Sequence, residues 1–172
     1  MEDYKLGRLQ MNALVVLRVF IGWHFLYEGI SKMTKAGWSA EGYLLQSKGI
    51  FAGLFQWMAE APGVIEVVNV LNIWGLIAVG LGLILGALTM VASFAGILLL
   101  LLYYLANPPM VGYFYSIPME GNYLIVNKNL VEMAALFLVG VTRSGYYLGL
   151  DRLIQKYLAA IKGRSAEVAS QT

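Results

Sequence analysis

Four stretches of the chain run apolar with little interruption, at residues 12–30, 64–85, 87–106 and 124–142. Continuous runs of about 20 residues predict helices that cross a membrane, whereas the strands of a membrane barrel would alternate. Between the second and third, Gly86 and its small neighbours leave room only for a tight hairpin. The first and fourth are polar on one side, carrying Arg18, His24 and Glu28 in one and Lys128 and Glu132 in the other. The expected fold is an all-α polytopic membrane protein. A four-transmembrane-helix bundle fills residues 12–143, preceded by residues 1–11 and followed by a tail at 144–172.

The connections carry patterns of their own. In the first loop, Phe51, Leu54, Phe55 and Met58 recur at i, i+3, i+4 and i+7, flanked by Trp38, Tyr43 and Trp57. That predicts an amphipathic helix lying in the outer interface, with a re-entrant segment as the rival reading. The third loop, residues 107–123, holds Pro108, Pro109 and Pro118 with Tyr113, Phe114 and Tyr115, which predicts a turn-rich aromatic cap. In the tail, residues 151–162 have the pattern of a short surface helix, and the last ten residues read as disordered.

Composition sharpens the class. Charged residues make up 13% of the 172, against about 25% in soluble domains. Residues 67–119 contain no Asp, Glu, Lys or Arg at all. The mean hydropathy is +0.68. A soluble domain is excluded, and the aromatic content with a net charge of +2 excludes a disordered chain. Nucleic-acid binding is equally disfavoured, because the basic residues are scattered singly. Without cysteine there is no disulfide, thiolate metal site or covalent persulfide, and one histidine leaves little scope for a metal site.

Lysine and arginine also orient the spans. Lys5 and Arg8 precede the first, and Arg143, Arg152, Lys156, Lys162 and Arg164 follow the fourth. Both termini are therefore expected in the cytoplasm, with the first and third loops outside. The start Met1-Glu2-Asp3 is partly acidic and no small-residue cleavage site follows the first span, so that span reads as retained rather than as a signal peptide.

Ionisable groups within spans are costly, about 2.5–3.5 kcal/mol each on insertion scales, and usually face the bundle interior. At about 100° per residue, Arg18, His24, Glu28 and Lys32 share about one third of the first helix's circumference. The first helix rises outward and the fourth returns inward. Glu28 and Lys128 therefore lie near one level, and His24 and Glu132 near a deeper one. Glu66, Asn69 and Asn72 enter from the outer end of the second span. A polar cluster in the outer half of the bundle follows, with Arg18 reaching up from below. The same residues also admit a purely structural reading. His24, Glu28 and Lys32 can satisfy one another along one helix, Asn commonly bonds across helices, Lys32 can snorkel outward and Arg143 can anchor the inner surface. Gly82 and Gly86 form a GxxxG that suits close helix packing more than a dimer seam.

The stretch Leu17-Arg18-Val19-Phe20-Ile21-Gly22-Trp23-His24-Phe25-Leu26-Tyr27-Glu28-Gly29-Ile30-Ser31-Lys32 resembles the opening helix of the DoxX/DoxD family. Similar matches are Trp38-Ser39-Ala40-Glu41-Gly42-Tyr43-Leu44 and Asn72-Ile73-Trp74-Gly75-Leu76. Glu120-Gly121-Asn122-Tyr123, leading into Asn127-Lys128-Asn129-Leu130-Val131-Glu132, resembles the DoxD branch. The resemblance implies a four-helix membrane subunit of a thiosulfate:quinone oxidoreductase in a bacterial cytoplasmic (inner) membrane, completed by a second oxidoreductase subunit. Distant relatives serve as assembly chaperones or cargo receptors.

Two functional expectations follow. In the first, a quinone is the bound cosubstrate and no cofactor is covalently held. Arg18 and Lys128 then supply positive charge, Glu132, Glu28 and His24 pass protons, and Trp23, Tyr27 and Trp74 line an apolar wall. In the second, the same polar cavity belongs to a noncatalytic module for a protein partner or lipid. A transporter of four spans would need a homo-oligomer.

Overall fold

The computed structural model describes residues 6–116 and 124–169, the last ten of them by backbone alone. Helices follow in the order α1 (Arg8–Thr34), α2 (Glu41–Leu45), α3 (Ala52–Glu60), α4 (Val64–Leu85), α5 (Thr89–Ala106), α6 (Lys128–Thr142), α7 (Ser144–Tyr147) and α8 (Leu150–Ala169). No strand occurs among the described residues. Three helices, α1, α4 and α5, are long and apolar enough to cross a membrane. A fourth, α6, has 15 residues, about 22 Å at 1.5 Å per residue.

The helix limits depart from the sequence expectation where local chemistry intervenes. At the start of α6, Asn127 accepts a hydrogen bond from the Leu130 N–H at 3.2 Å, so the helix begins at Lys128 and not at residue 124. Leu124, with φ 63°, belongs to the turn before it. Helix α1 runs about one turn beyond 12–30 at both ends, and α8 continues to Ala169 through residues expected to be disordered. The helical pattern over 51–58 corresponds to α3, while α2 carries no signal long enough to read. Pro118 and Glu120–Tyr123 lie outside the described residues.

Helix α1 packs along α4, α4 turns into α5, α5 packs on α6, and α6 closes against α1. The α1–α4 contact is made by backbones that nearly touch. A Cβ on Gly80 would fall 2.5 Å from the Leu26 nitrogen and 2.8 Å from the Gly22 carbonyl oxygen. Such small-residue contacts are what dispersion-driven helix association in lipid requires. Between the helices Ile21, Phe25, Leu76, Val79, Leu83, Leu100, Leu136 and Val139 form the core. Gly82 packs on Ala92 within the α4–α5 hairpin. Gly86 ends α4 in the left-handed region at φ 63°, where a Cβ would also meet Gly149 and Arg18.

The outer surface is apolar. On α1, Val16, Phe20, Trp23, Tyr27 and Ile30 form a stripe with spacings of three and four, each at least 42% exposed. On α4, Val67, Val70, Leu71 and Trp74 are likewise exposed. This is the surface of a helix bundle whose solvent is lipid.

Two ends differ in construction. At the loop end, α2, α3 and residues 107–116 lie across the ends of α4 and α5. Ser47 donates to the Ala106 carbonyl at 2.6 Å, Lys48 donates to the Phe114 carbonyl at 2.5 Å, and Ser116 N–H donates to Gln46 at 2.6 Å. At the terminal end, α7 and the start of α8 clasp the α4–α5 turn.

Candidate functional site

Between α1, α4, α5, α6 and the loop layer lies an open cavity of about 670 Å³. Its inner wall is apolar, made by Phe25, Leu76 and Leu100. Around that wall stand polar groups from four elements. His24, Glu28 and Lys32 come from α1, Lys128 from α6, Asn72 from α4 and Tyr103 from α5.

His24 Nδ1 lies 2.8 Å from Glu132 Oε1, joining α1 to α6 at the level where helical rise sets the two side by side. The Glu132 side chain is 13% exposed and that of His24 is 48% exposed. A carboxylate only accepts, so the ring donates through Nδ1–H and Nε2 becomes its exchangeable position. One turn further out, Lys32 Nζ is 3.2 Å from Glu28 Oε2. The same ammonium stands 5.6 Å from the Tyr103 ring centroid and 5.7 Å from that of Trp38, within cation–π range. Lys128 lines the same cavity. Its charge reaches His24.

A second layer of polar groups closes the loop side. Asn72 Nδ2 donates to the Tyr103 hydroxyl at 2.7 Å, the Tyr43 hydroxyl donates to the Tyr103 carbonyl at 3.0 Å, and Asn107 Nδ2 donates to the Tyr43 carbonyl at 3.1 Å. Burial pushes the Tyr43 phenol above its ordinary value, which keeps it a donor. The buried Oδ1 atoms of Asn72 and Asn107 accept no hydrogen bond from a described group. Both residues line the cavity, so they are acceptors of the kind a hydroxyl-bearing ligand would match.

Several residues expected at this site lie elsewhere. Arg18 is 2% exposed at the terminal end, where Nη2 donates to the Leu148 carbonyl at 2.7 Å and Nη1 approaches Ser144 Oγ at 3.5 Å. It points away from the cavity because it is six residues, about 9 Å of helix, before His24. Asp151, whose charge acts on Arg18, accepts from the Leu88 and Thr89 N–H groups at 2.6 and 3.0 Å. These are orphan donors at the start of α5, so Arg18 and Asp151 lock the tail to the bundle. Asn69 accepts from the Ala40 N–H at 2.8 Å and donates to Ser39 at 3.2 Å, which fixes α2 rather than a ligand. Glu66 is exposed on α4 and does not line the cavity. Trp23, Tyr27 and Trp74 are 62%, 60% and 59% exposed and face outward, so they form no wall of it. Trp23 and Tyr27 sit one residue, about 100°, before His24 and Glu28, which turns them onto the lipid-facing stripe.

Tyr43, Tyr103 and Asn107 are cavity groups that sequence reading passes over. Tyr103 ends an apolar run and reads as part of a span. The signal available was the pair Tyr103-Tyr104 followed by Asn107-Pro108, polar hydrogen-bonding groups gathered at a helix end.

No curated protein and no solved structure matches the chain. The family profile named DoxX matches residues 13–107, which include α1 from its second turn, the loop layer's two helices, α4 and the whole of α5. That span is more than half of the sequence and carries His24, Glu28, Lys32, Asn72 and Tyr103. This integral membrane protein belongs to the DoxX family.

Proposed function

We propose that the protein is the membrane subunit of a quinone-linked oxidoreductase of the thiosulfate:quinone type, from the DoxD branch, with the quinone headgroup held in the cavity. The observation that carries this reading is the His24–Glu132 pair at 2.8 Å, set beside an apolar wall in a space of about 670 Å³. That volume falls in the ordinary range for small-molecule sites, about 300–1,000 Å³. Phe25, Leu76 and Leu100 pack against the ring, and Lys32 and Lys128 supply positive charge near its oxygens. Asn72 and Asn107 offer acceptor oxygens to hydroxyl groups.

Quinone reduction consumes two electrons and two protons. The electrons derive from two thiosulfate ions that join through a new S–S bond, and with no cysteine to hold a covalent sulfur intermediate that oxidation proceeds on noncovalently bound thiosulfate or in a second subunit. The chain's own part is binding and proton delivery. Glu132 holds the Nδ1–H of His24, so that Nε2, once protonated, gives up a proton to the cavity, and Glu28, a carboxyl group of the lining, passes the second. In this reading α6 is the fourth span, and α3 lies in the outer interface. Both termini are cytoplasmic in the inner membrane.

Membranes containing the protein with its second subunit are expected to reduce a soluble quinone on addition of thiosulfate. Glu132→Gln is expected to slow this by about 100-fold or more at unchanged thermal stability, the size of a lost general acid–base contribution. A parental rate in that folded variant contradicts the proposal. The noncatalytic reading draws on a different observation, that Glu28 is satisfied by Lys32 and Asn69 by α2 without any ligand. Parental behaviour of the variant would favour it.

A further inference from the structure

The tail helix presents an exposed apolar face. Only its root is held. Asp151 is 6% exposed in the latch to α5, whereas residues 152–159 are all exposed. Leu150, Leu153, Ile154, Tyr157 and Leu158 recur at i, i+3, i+4, i+7 and i+8, which puts them on one side of the helix, and each is at least 39% exposed. Arg152, Gln155 and Lys156 occupy the other side.

The position of the root says what meets this face. Asp151 N–H donates to the Gly86 carbonyl at 2.8 Å, and its carboxylate binds the first N–H groups of α5. The helix thus leaves the bundle where the apolar runs of α4 and α5 end. Leu85 and Leu88, 50% and 60% exposed, continue the lipid-facing surface up to that point. Charge selects among the lipids. Residues 150–169 contain Arg152, Lys156, Lys162 and Arg164 against Asp151 and Glu167, and Asp151 is already engaged. A second copy of this helix would bring a like-charged flank, whereas anionic headgroups complement it.

We infer that α8 is an in-plane surface helix that seats its Leu153–Leu158 face among the anionic phospholipids of the leaflet at the terminal end. Its latch sets the depth, its aliphatic and tyrosine side chains enter the headgroup–acyl boundary, and Arg152 and Lys156 reach the phosphates. The proposal is independent of what the cavity binds.

The absence of cysteine makes the test clean. Single variants Tyr157→Cys and Gln155→Cys of the full chain, each labelled with a polarity-sensitive fluorophore, are placed one per nanodisc and titrated with acrylamide, a neutral quencher. In discs containing phosphatidylglycerol, the label at 157 is expected to be quenched about 5-fold less than the label at 155, as for a face buried in the interface. In phosphatidylcholine discs, or at 1 M salt, that difference is expected to shrink by about half or more. Equal quenching at both positions in the anionic discs overturns the proposal. An undiminished difference in phosphatidylcholine overturns its charge selectivity, and protection that arises only with two copies per disc assigns the face to a second copy instead.

Discussion

Arg18 and His24 share one face of one helix, yet they do different work. His24 meets Glu132 inside a cavity, while Arg18 is sealed among Leu148, Ser144 and Gly86 at the terminal end. Arg18 is 2% exposed and donates to the Leu148 carbonyl, and removing its guanidinium leaves that buried acceptor unsatisfied, which costs about 1–3 kcal/mol. Arg18→Met is therefore expected to lower the thermal unfolding temperature in detergent sharply. Ligand occupancy per folded chain is expected to remain parental. Adding Asp151→Asn in the same chain should cost less than the two single changes together, because the pair couples. A stable Arg18→Met protein, or one that folds but loses cavity binding, contradicts this assignment. The sequence alone could not separate the two roles. The helical wheel aligns Arg18 with His24, and the groups that hold it, the Leu148 carbonyl and Ser144, are far away in the chain and meet it at the other end of the bundle.

At the scale of elements, the loop layer is held by half-buried phenols and backbone carbonyls. Tyr43 donates to the Tyr103 carbonyl and Tyr115 donates to the Pro108 carbonyl at 2.8 Å. Burial, with the neighbouring Tyr43 and Tyr113 phenols, pushes Tyr115 up to about 12 from an ordinary value of about 10. A phenol whose folded value is raised stabilises the fold fully below the unfolded value, and that stability is lost as pH rises through the folded one. The loop layer is thus expected to hold up to about pH 10 and to loosen between about pH 10 and 12, followed by hydrogen exchange at α2 and by tyrosinate absorbance. Native-state titration of these tyrosines at the ordinary value would show that the layer is open. The transmembrane elements were more legible than this layer. Residues 64–85 read as a helix because an apolar run interrupted only by Glu66, Asn69 and Asn72 ends at Gly86, and α4 has those limits. Helix α2, with five residues, is stabilised by Asn69 and Asn107 from elsewhere, so no local pattern announces it. Close contact of Gly22 with Gly80 is likewise a property of two helices and of neither alone.

For the whole molecule, lipid and cavity divide the side chains between them. Each helix turns one apolar stripe outward and another to the core, which leaves only one sector of α1 for ionisable groups. That sector was readable, because charge inside a span is costly and must have a reason. Its aromatic neighbours Trp23 and Tyr27 lie one angular step away and face outward. Their stripe with Val16, Phe20 and Ile30 was present in the sequence and points them to lipid. The proposed function requires that the sector around His24 and Glu132 hold a quinone. It is tested most directly by solvent extraction and mass spectrometry of the protein purified in mild detergent, against an unrelated four-span protein from the same cells. Quinone enriched to about one per chain, retained in folded Arg18→Met and lost in folded His24→Asn and Glu132→Gln, is the expected result. Quinone no higher than in the control protein, or equal in all four forms, would contradict it.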